Sequence, residues 1–365
     1  MNVLLITTHL NYGGITSYIK SLAGGLKTKG HNVFVASSGG DCLDFFNKLK
    51  IPHFYIPIRT KSEISLKIYI SFFKLLPFLK EKKIQIIHSQ TRVTQLLGWL
   101  LSKFTKIPYI STCHGFFKPK FSRKLFGCWG RRVIAISESV KKHLLEDFDV
   151  KEDKIKLIYH GIDLNNSESI NHRSQIKEKL GLKRERTIGI VARLSEVKGQ
   201  RELIYAFKLV REEYPDVQLL IVGEGKIKPQ LLDLVSELKI REDVLFLPPI
   251  SDTSEILGAF DVFCSPSLKE GLGLSLMEAM GYGIPVIASK TGGITDLIED
   301  GKTGLLVEIQ DIKGLALAIL RLLRDRRLAE DIRRNAKEFI RENFSSEKMV
   351  AQTIEVYKEC LRENY

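Results

Sequence analysis

The chain has 365 residues, enough for about two domains and for a sizeable core without disulfides or structural metal. Hydrophobic residues make up 44% and charged residues 27%, which excludes a disordered, collagen-like or disulfide-scaffold protein. The net charge of +13 is unevenly divided: residues 1–165 hold 26 Lys and Arg against 11 Asp and Glu, and residues 166–365 hold 30 against 32.

Short runs rich in Ile and Val predict strands at 3–8, 32–37, 54–58, 84–88, 108–113, 132–136 and 155–159 in the first half. In the second half they fall at 187–192, 217–222, 244–247, 261–265, 285–288 and 304–307. Each run is followed by a helix-length amphipathic segment. Continuous apolar strands alternating with helices imply parallel sheets covered on both faces, and two such series imply two doubly wound α/β domains. The polar stretch 164–186 marks the break, so the chain reads as an N-terminal domain over 1–165 and a C-terminal domain over 166–345. A final helix over 346–365 places Val350, Ile354, Tyr357 and Leu361 on one stripe, which suits packing back on the first domain.

The five cysteines are odd in number and scattered, with no C-x-x-C pair, and read as reduced, mostly buried thiols. The opening run MNVLLITTHL has no basic n-region or cleavage site, and no stretch reaches the ~18 apolar residues of a spanning helix. These features predict a cytoplasmic protein. The basic first half calls for an anionic partner (nucleic acid, anionic lipid or a phosphorylated substrate) or serves solubility alone.

Three loops could hold an anionic ligand. Gly13 and Gly14 follow the first strand and open a helix, where bare backbone and unpaired N–H groups suit a phosphate; a plain tight turn is the alternative. Arg193 and Lys198 follow the first strand of the second half, beyond whose carboxyl end ligands of open α/β sheets bind. A guanidinium and an ammonium together suit a diphosphate. Glu270, Gly271, Leu272, Gly273 and Leu274 follow the strand at 261–265, and Glu278 shares a helix face with Leu274 four residues earlier. Ionised carboxylates are pure acceptors and suit sugar hydroxyls. His114 ends a strand and precedes Gly115, and His160 ends another before Gly161. His9 and His88 read as ordinary strand-end histidines. Asp147-Phe148-Asp149 has the form of a metal-binding D-x-D but lies between helix and strand, where solvated surface is the better reading; no metal site is expected.

In this order the motifs resemble the retaining glycosyltransferases of the GT-B fold, family 4 (glycosyl transferases group 1). Those that carry the resemblance include the Gly13-Gly14 loop, His114-Gly115, Gly161-Ile162-Asp163, Arg193 with Lys198, Gly223-Glu224-Gly225, and Glu270 with Glu278. The resemblance implies a nucleotide-diphosphate sugar held mainly by the second domain in an interdomain cleft, with the acceptor on the first. It assigns Gly14, Arg193 and Lys198 to the diphosphate, Gly13 and Gly223 to donor binding, Glu270 to sugar hydroxyls, the 271–274 backbone to sugar and phosphates, Glu278 to the ribose, and His114 to the anomeric centre. On this reading His114, Glu270, Arg193 and Lys198 are the catalytic set, with no metal and no other cofactor. Two departures, Gly115 where an acidic residue is frequent and His160 where Asn is frequent, leave the acceptor open. UDP-sugars are the favoured donors, with GDP-mannose as the competitor, and the acceptor is expected to be lipid-linked, lipopolysaccharide or another glycan. Segments 67–83 and 116–132 interleave aromatic and aliphatic residues with Lys and Arg, which suggests peripheral contact with an anionic membrane. A nucleotide-sugar epimerase of the same fold, a basic nucleic-acid-binding protein and an NAD-dependent dehydrogenase are the rival readings; the dehydrogenase is disfavoured because the first turn lacks the third glycine of G-x-G-x-x-G.

Overall fold

The computed structural model describes residues 1–119, 123, 127–164, 173–250 and 253–363. The chain forms two compact units, one of Met1–Gly161 with Ser346–Tyr365 and the other of Ile162–Ser345. The division falls four residues before the boundary read from the sequence, and part of the polar break, 165–172, lies outside the described residues.

The first unit contains β1 (Asn2–Ile6), α1 (Gly14–Thr28), β2 (Asn32–Ser37), α2 (Leu43–Lys48), β3 (His53–Tyr55), α3 (Leu66–Glu81) and β4 (Ile86–Ser89). It continues through α4 (Arg92–Thr105), β5 (Tyr109–Cys113), β6 (Arg132–Ala135), α5 (Glu138–Phe148) and β7 (Ile155–Leu157). Its seven strands are parallel in the order β3-β2-β1-β4-β5-β6-β7. β1 is an interior strand, with Val3 opposite Val33 on one side and Ile86 on the other. The order reverses beside β1, the position at which open α/β sheets leave a crevice at their carboxyl edge.

The second unit contains α6 (Arg173–Lys179), β8 (Arg186–Val191), α7 (Gln200–Glu213), β9 (Val217–Val222), α8 (Lys228–Glu237), β10 (Val244–Leu247), α9 (Ser254–Leu257) and β11 (Val262–Ser265). These are followed by α10 (Leu274–Gly281), β12 (Val286–Ser289), β13 (Leu305–Val307), α11 (Ile312–Arg324) and α12 (Arg326–Asn343). The six parallel strands run β10-β9-β8-β11-β12-β13, with the reversal between β8 and β11. Both sheets are doubly wound, as the alternation of apolar runs and helical segments implies.

The last helix, α13 (Ser346–Arg362), belongs to the first unit. Its buried Val350, Ile354 and Tyr357 join Tyr18, Leu22 and Leu26 of α1 in one apolar cluster on a face of the sheet. On the opposite face α3 and α4 bury Ile68, Leu75, Leu97 and Leu101 against β1 and β4. Burial of this kind supplies about 25 cal/mol per Å² of apolar surface, and it explains why strands flanked on both sides read as unbroken apolar runs. All five cysteines are free and buried.

Candidate active site

In the second unit the candidate residues gather at the carboxyl edge of the sheet. After β8 the chain continues alongside the loop that follows β9: Ala192 donates to Val222 O at 3.0 Å and Leu194 to Glu224 O at 3.0 Å. Gly223 sits there with φ +149°, and a Cβ on it would lie 2.0 Å from Ala192 O, so only glycine lets the two loops meet. Arg193 is exposed, its carbonyl held by Gln200 Nε2 at 3.0 Å, and its guanidinium has no ion pair among the described residues. Lys198 ends a single helical turn, and Gly199 follows in the left-handed region at φ +70°, packed so that a Cβ would come 1.9 Å from Pro266 O.

That contact brings the loop after β8 onto the loop after β11. Leu268 N donates to Val197 O at 2.9 Å, and Lys198 Nζ reaches Glu270 Oε2 at 2.5 Å. Ser267 Oγ donates to the same carboxylate oxygen at 3.2 Å, and Gly293 N donates to Glu270 O at 3.2 Å. The Lys198 and Glu270 side chains are 22% and 15% exposed, open enough to meet a ligand and enclosed enough that their attraction is only partly screened by water. Gly273, at φ +98°, then opens α10, whose first turn has no acidic residue and no side-chain cap, so its N–H groups are available to an anion. Leu272 is buried at its side chain, and Gly271 and Leu274 are partly open. Glu278, further along α10, accepts from Thr253 Oγ1 at 2.9 Å.

In the first unit, Gly13 and Gly14 sit at the start of α1. A Cβ on either would meet nothing within 4 Å, so no packing dictates glycine there, and Gly13 adopts φ +150°. His114 lies just past β5, with Nε2 2.9 Å from Gln90 Oε1 and Tyr18 edge-on at 4.8 Å between ring centroids. Burial, with His160 and His88 nearby, pushes its pKa down to about 3, so at neutral pH the ring is uncharged. His88 is fully buried, bonded at Nδ1 to Tyr357 OH at 2.8 Å and at Nε2 to Thr112 Oγ1 at 2.7 Å. Neither ring nitrogen of buried His160 has a hydrogen-bond partner among the described residues.

The sequence does not single out Ser267, Gln200, Thr253 or Gln90, and it marks Tyr357 only as part of a packing stripe. None belongs to a short motif; His88 and Tyr357 are 269 positions apart, and only the fold joins them. Asp147 of the D-x-D sits on α5 and takes His143 Nδ1 at 2.5 Å, while Asp149 caps the helix in the left-handed region. Among the described residues no group of three or more His, Cys, Asp or Glu is placed to hold a metal ion. Of the segment 116–132, Trp129 packs on Phe148 and Phe117, whereas 120–122 and 124–126 lie outside the described residues.

A doubly wound pair of units, one presenting a cation pair, a carboxylate and an open helix terminus at its carboxyl edge, defines an enzyme that handles an activated, phosphorylated substrate. The chain matches the family described as Glycosyl transferases group 1 over residues 172–339 and Glycosyltransferase Family 4 over residues 12–166. An uncharacterised glycosyltransferase of Methanocaldococcus jannaschii is 30% identical over 86% of this chain and 77% of the relative. The UDP-Gal:alpha-D-GlcNAc-diphosphoundecaprenol alpha-1,3-galactosyltransferase of Escherichia coli is 28% identical over 88% of this chain and 87% of its own length. Among solved structures, Anabaena HepE in complex with UDP-glucose superposes with a TM-score of 0.87 at 22% identity, covering 98% of this chain and all (100%) of that one. The protein belongs to the family 4, group 1 glycosyltransferases and has their GT-B fold. Membership sets aside the nucleic-acid-binding and dehydrogenase readings.

Proposed function

We propose that the enzyme transfers a sugar from a UDP-sugar to a lipid-linked or other envelope glycan acceptor, with retention of anomeric configuration and without a divalent metal. The observation that carries the donor reading is the Lys198–Glu270 pair, on the loop that also carries Arg193, whose guanidinium has no ion pair among the described residues, together with the open amino terminus of α10. When the C1–O bond of the donor breaks, charge develops on the leaving diphosphate. Arg193, Lys198 and the α10 N–H groups are fixed positive groups able to stabilise it, the task a metal performs elsewhere. Glu270, oriented by Ser267, accepts hydrogen bonds from sugar hydroxyls, and Glu278 does so from the ribose. His114, held neutral by burial, serves the reacting sugar as a hydrogen-bonding group. A donor phosphate oxygen takes the acceptor's proton on the face from which the nucleotide leaves. GDP-mannose is the competing donor.

The acceptor reading draws on the E. coli relative, whose name specifies a diphosphoundecaprenol-linked sugar, and the donor reading on the UDP-glucose complex of the Anabaena structure. It also draws on α3, whose outer face exposes Leu66, Tyr69, Ile70 and Phe73 beside Lys67 and Lys74, with Ile64 before it and Phe104 of α4 close by. Contiguous apolar side chains in water mark an interaction surface, and their lysine rim suits anionic lipid headgroups. Among the described residues no helix is long and apolar enough to cross a membrane.

The deciding experiment incubates the purified enzyme with UDP-glucose, UDP-galactose or GDP-mannose, a polyprenyl-diphosphate sugar acceptor and EDTA, and reads the product's anomeric coupling by NMR. An α-linked product formed from an α-linked donor, undiminished by EDTA, is expected. A β-linked product, loss of turnover on chelation, or conversion of donor sugar with acceptor omitted (the epimerase result) overturns the proposal.

A further inference from the structure

A cavity in the second unit lies away from the donor residues. It measures about 1220 Å³ and opens at the amino edge of the sheet, where Arg186 begins β8, Asp261 precedes β11 and Pro285 precedes β12. Arg193, Gly223 and Glu270 all follow the carboxyl ends of strands, so this cavity is not where open α/β sheets bind substrate.

One wall is a single face of α12, which contributes five cations, Arg326, Arg333, Arg334, Lys337 and Arg341, against two carboxylates, Glu330 and Glu338. Arg173 and Arg186 also line the cavity but are committed to Asp261, Arg186 Nη1 at 2.9 Å from Asp261 Oδ1. Arg333 and Arg334 make exposed pairs with Glu330 at 3.1 Å and Asp331 at 2.7 Å, the kind that contribute little. Arg326, Lys337 and Arg341 have no ion pair among the described residues. Lys337 is only half-exposed, its stem close to the Gly283 turn, so its ammonium is held in the concave wall rather than swinging free in water. The second half of the chain is balanced overall, 30 basic residues against 32 acidic, so this concentration of cations is not a general solubility charge.

We propose that this cleft binds a compact anion bearing two or more phosphate groups, as a ligand separate from the sugar donor. Arginine forks match phosphate oxygens in pairs, several cations spaced along one helix face suit several phosphates, and a concave wall favours a small ligand over a flat macromolecule.

The test titrates inorganic tripolyphosphate into the full-length protein by calorimetry, with UDP saturating the donor site. One saturable site is expected at physiological salt, its affinity falling as salt rises. The double variant Lys337→Glu/Arg341→Glu, and separately Arg326→Glu, weakens it at least about tenfold, the effect of losing charge-assisted phosphate contacts. Lys198→Ala leaves it unchanged. UDP titration and the thermal midpoint of each cleft variant confirm that the fold persists, and UDP binding by the parent enzyme reads the donor proposal independently. No saturable binding, binding indifferent to all three cleft substitutions, or tighter binding of an RNA oligomer with the same dependence on them, each overturns the assignment of a small oligophosphate.

Discussion

Lys198 and Glu270 are 72 positions apart in the chain and 2.5 Å apart in space, and each satisfies the other until a ligand competes for them. In a partly enclosed site, removing one partner leaves the other charged and unpaired, so neither residue acts alone. Lys198→Ala and Glu270→Gln are each expected to lower kcat/KM by about 10²-fold or more, the usual cost of deleting a preorganised electrostatic group. The double variant is expected to lose little more than the worse single one, because residues acting as a unit are not additive. Arg193→Ala, which removes a guanidinium with no ion pair among the described residues, is expected to multiply with either. Steady-state kinetics on the four proteins and the Arg193 combinations decide this; losses that multiply for Lys198 and Glu270 would show that the two act separately.

At the scale of one helix, α3 turns two apolar faces outward and inward. Ile68, Leu75, Phe78 and Leu79 are buried against the sheet, while Ile64 just before the helix is 88% exposed, Leu66 77% and Phe73 69%. A helix apolar all round is either buried on all sides or has a further partner, and here the outer face is open. Leu66→Glu with Phe73→Glu removes only exposed contacts, so the thermal midpoint should stay within a degree or two of the parent, as for ordinary surface changes. Flotation on phosphatidylglycerol-containing vesicles should fall several-fold, since each nearby cation contributes about 1 kcal/mol only when the chain can approach the surface. Equal flotation of parent and variant, or none by either, would remove α3 as the lipid-facing element. The interleaved pattern made this helix legible in the sequence, but it put segment 116–132 in the same class, and there Trp129 packs inward on Phe148. Charge and aromatic content do not say which side of a ring faces the core. Strand positions were legible for a different reason: a parallel strand buried on both faces reads as a nearly continuous apolar run, as β9 does from Leu219 to Val222. The loops around Lys198 were legible because glycines and charges at strand ends have few other uses. The polar network under His114 was not, because Gln90, Thr112 and Tyr357 meet only through the fold.

Across the whole molecule the ionisable histidines are unevenly placed. Seven of the eight lie in the first unit, and His172 lies outside the described residues. Burial holds His88 at about 3, His114 at about 3 and His160 at about 4, each well below the ordinary 6.5. The unfolded chain therefore binds more protons than the folded one between those values and 6.5. Their contribution to stability is complete above about pH 6.5 and is lost as pH falls toward 4 and then 3. All three shifts have the same sign, so their effects on stability run in the same direction as the pH falls. Most carboxylates remain ionised above pH 5, which makes the interval from 6.5 to 5 specific to the histidines. Hydrogen exchange read by mass spectrometry at pH 7.5, 6 and 5, corrected for the intrinsic pH dependence of exchange, should show protection falling in β4, β5 and α13 while β8, β9 and α7 hold theirs. His88→Gln, which keeps a polar group against Tyr357 and Thr112, should flatten the pH dependence of the first unit even where it lowers stability at pH 7.5. Protection lost in both units at the same pH, or an unchanged slope in the His88 variant, would mean that acid sensitivity arises elsewhere in the charge distribution.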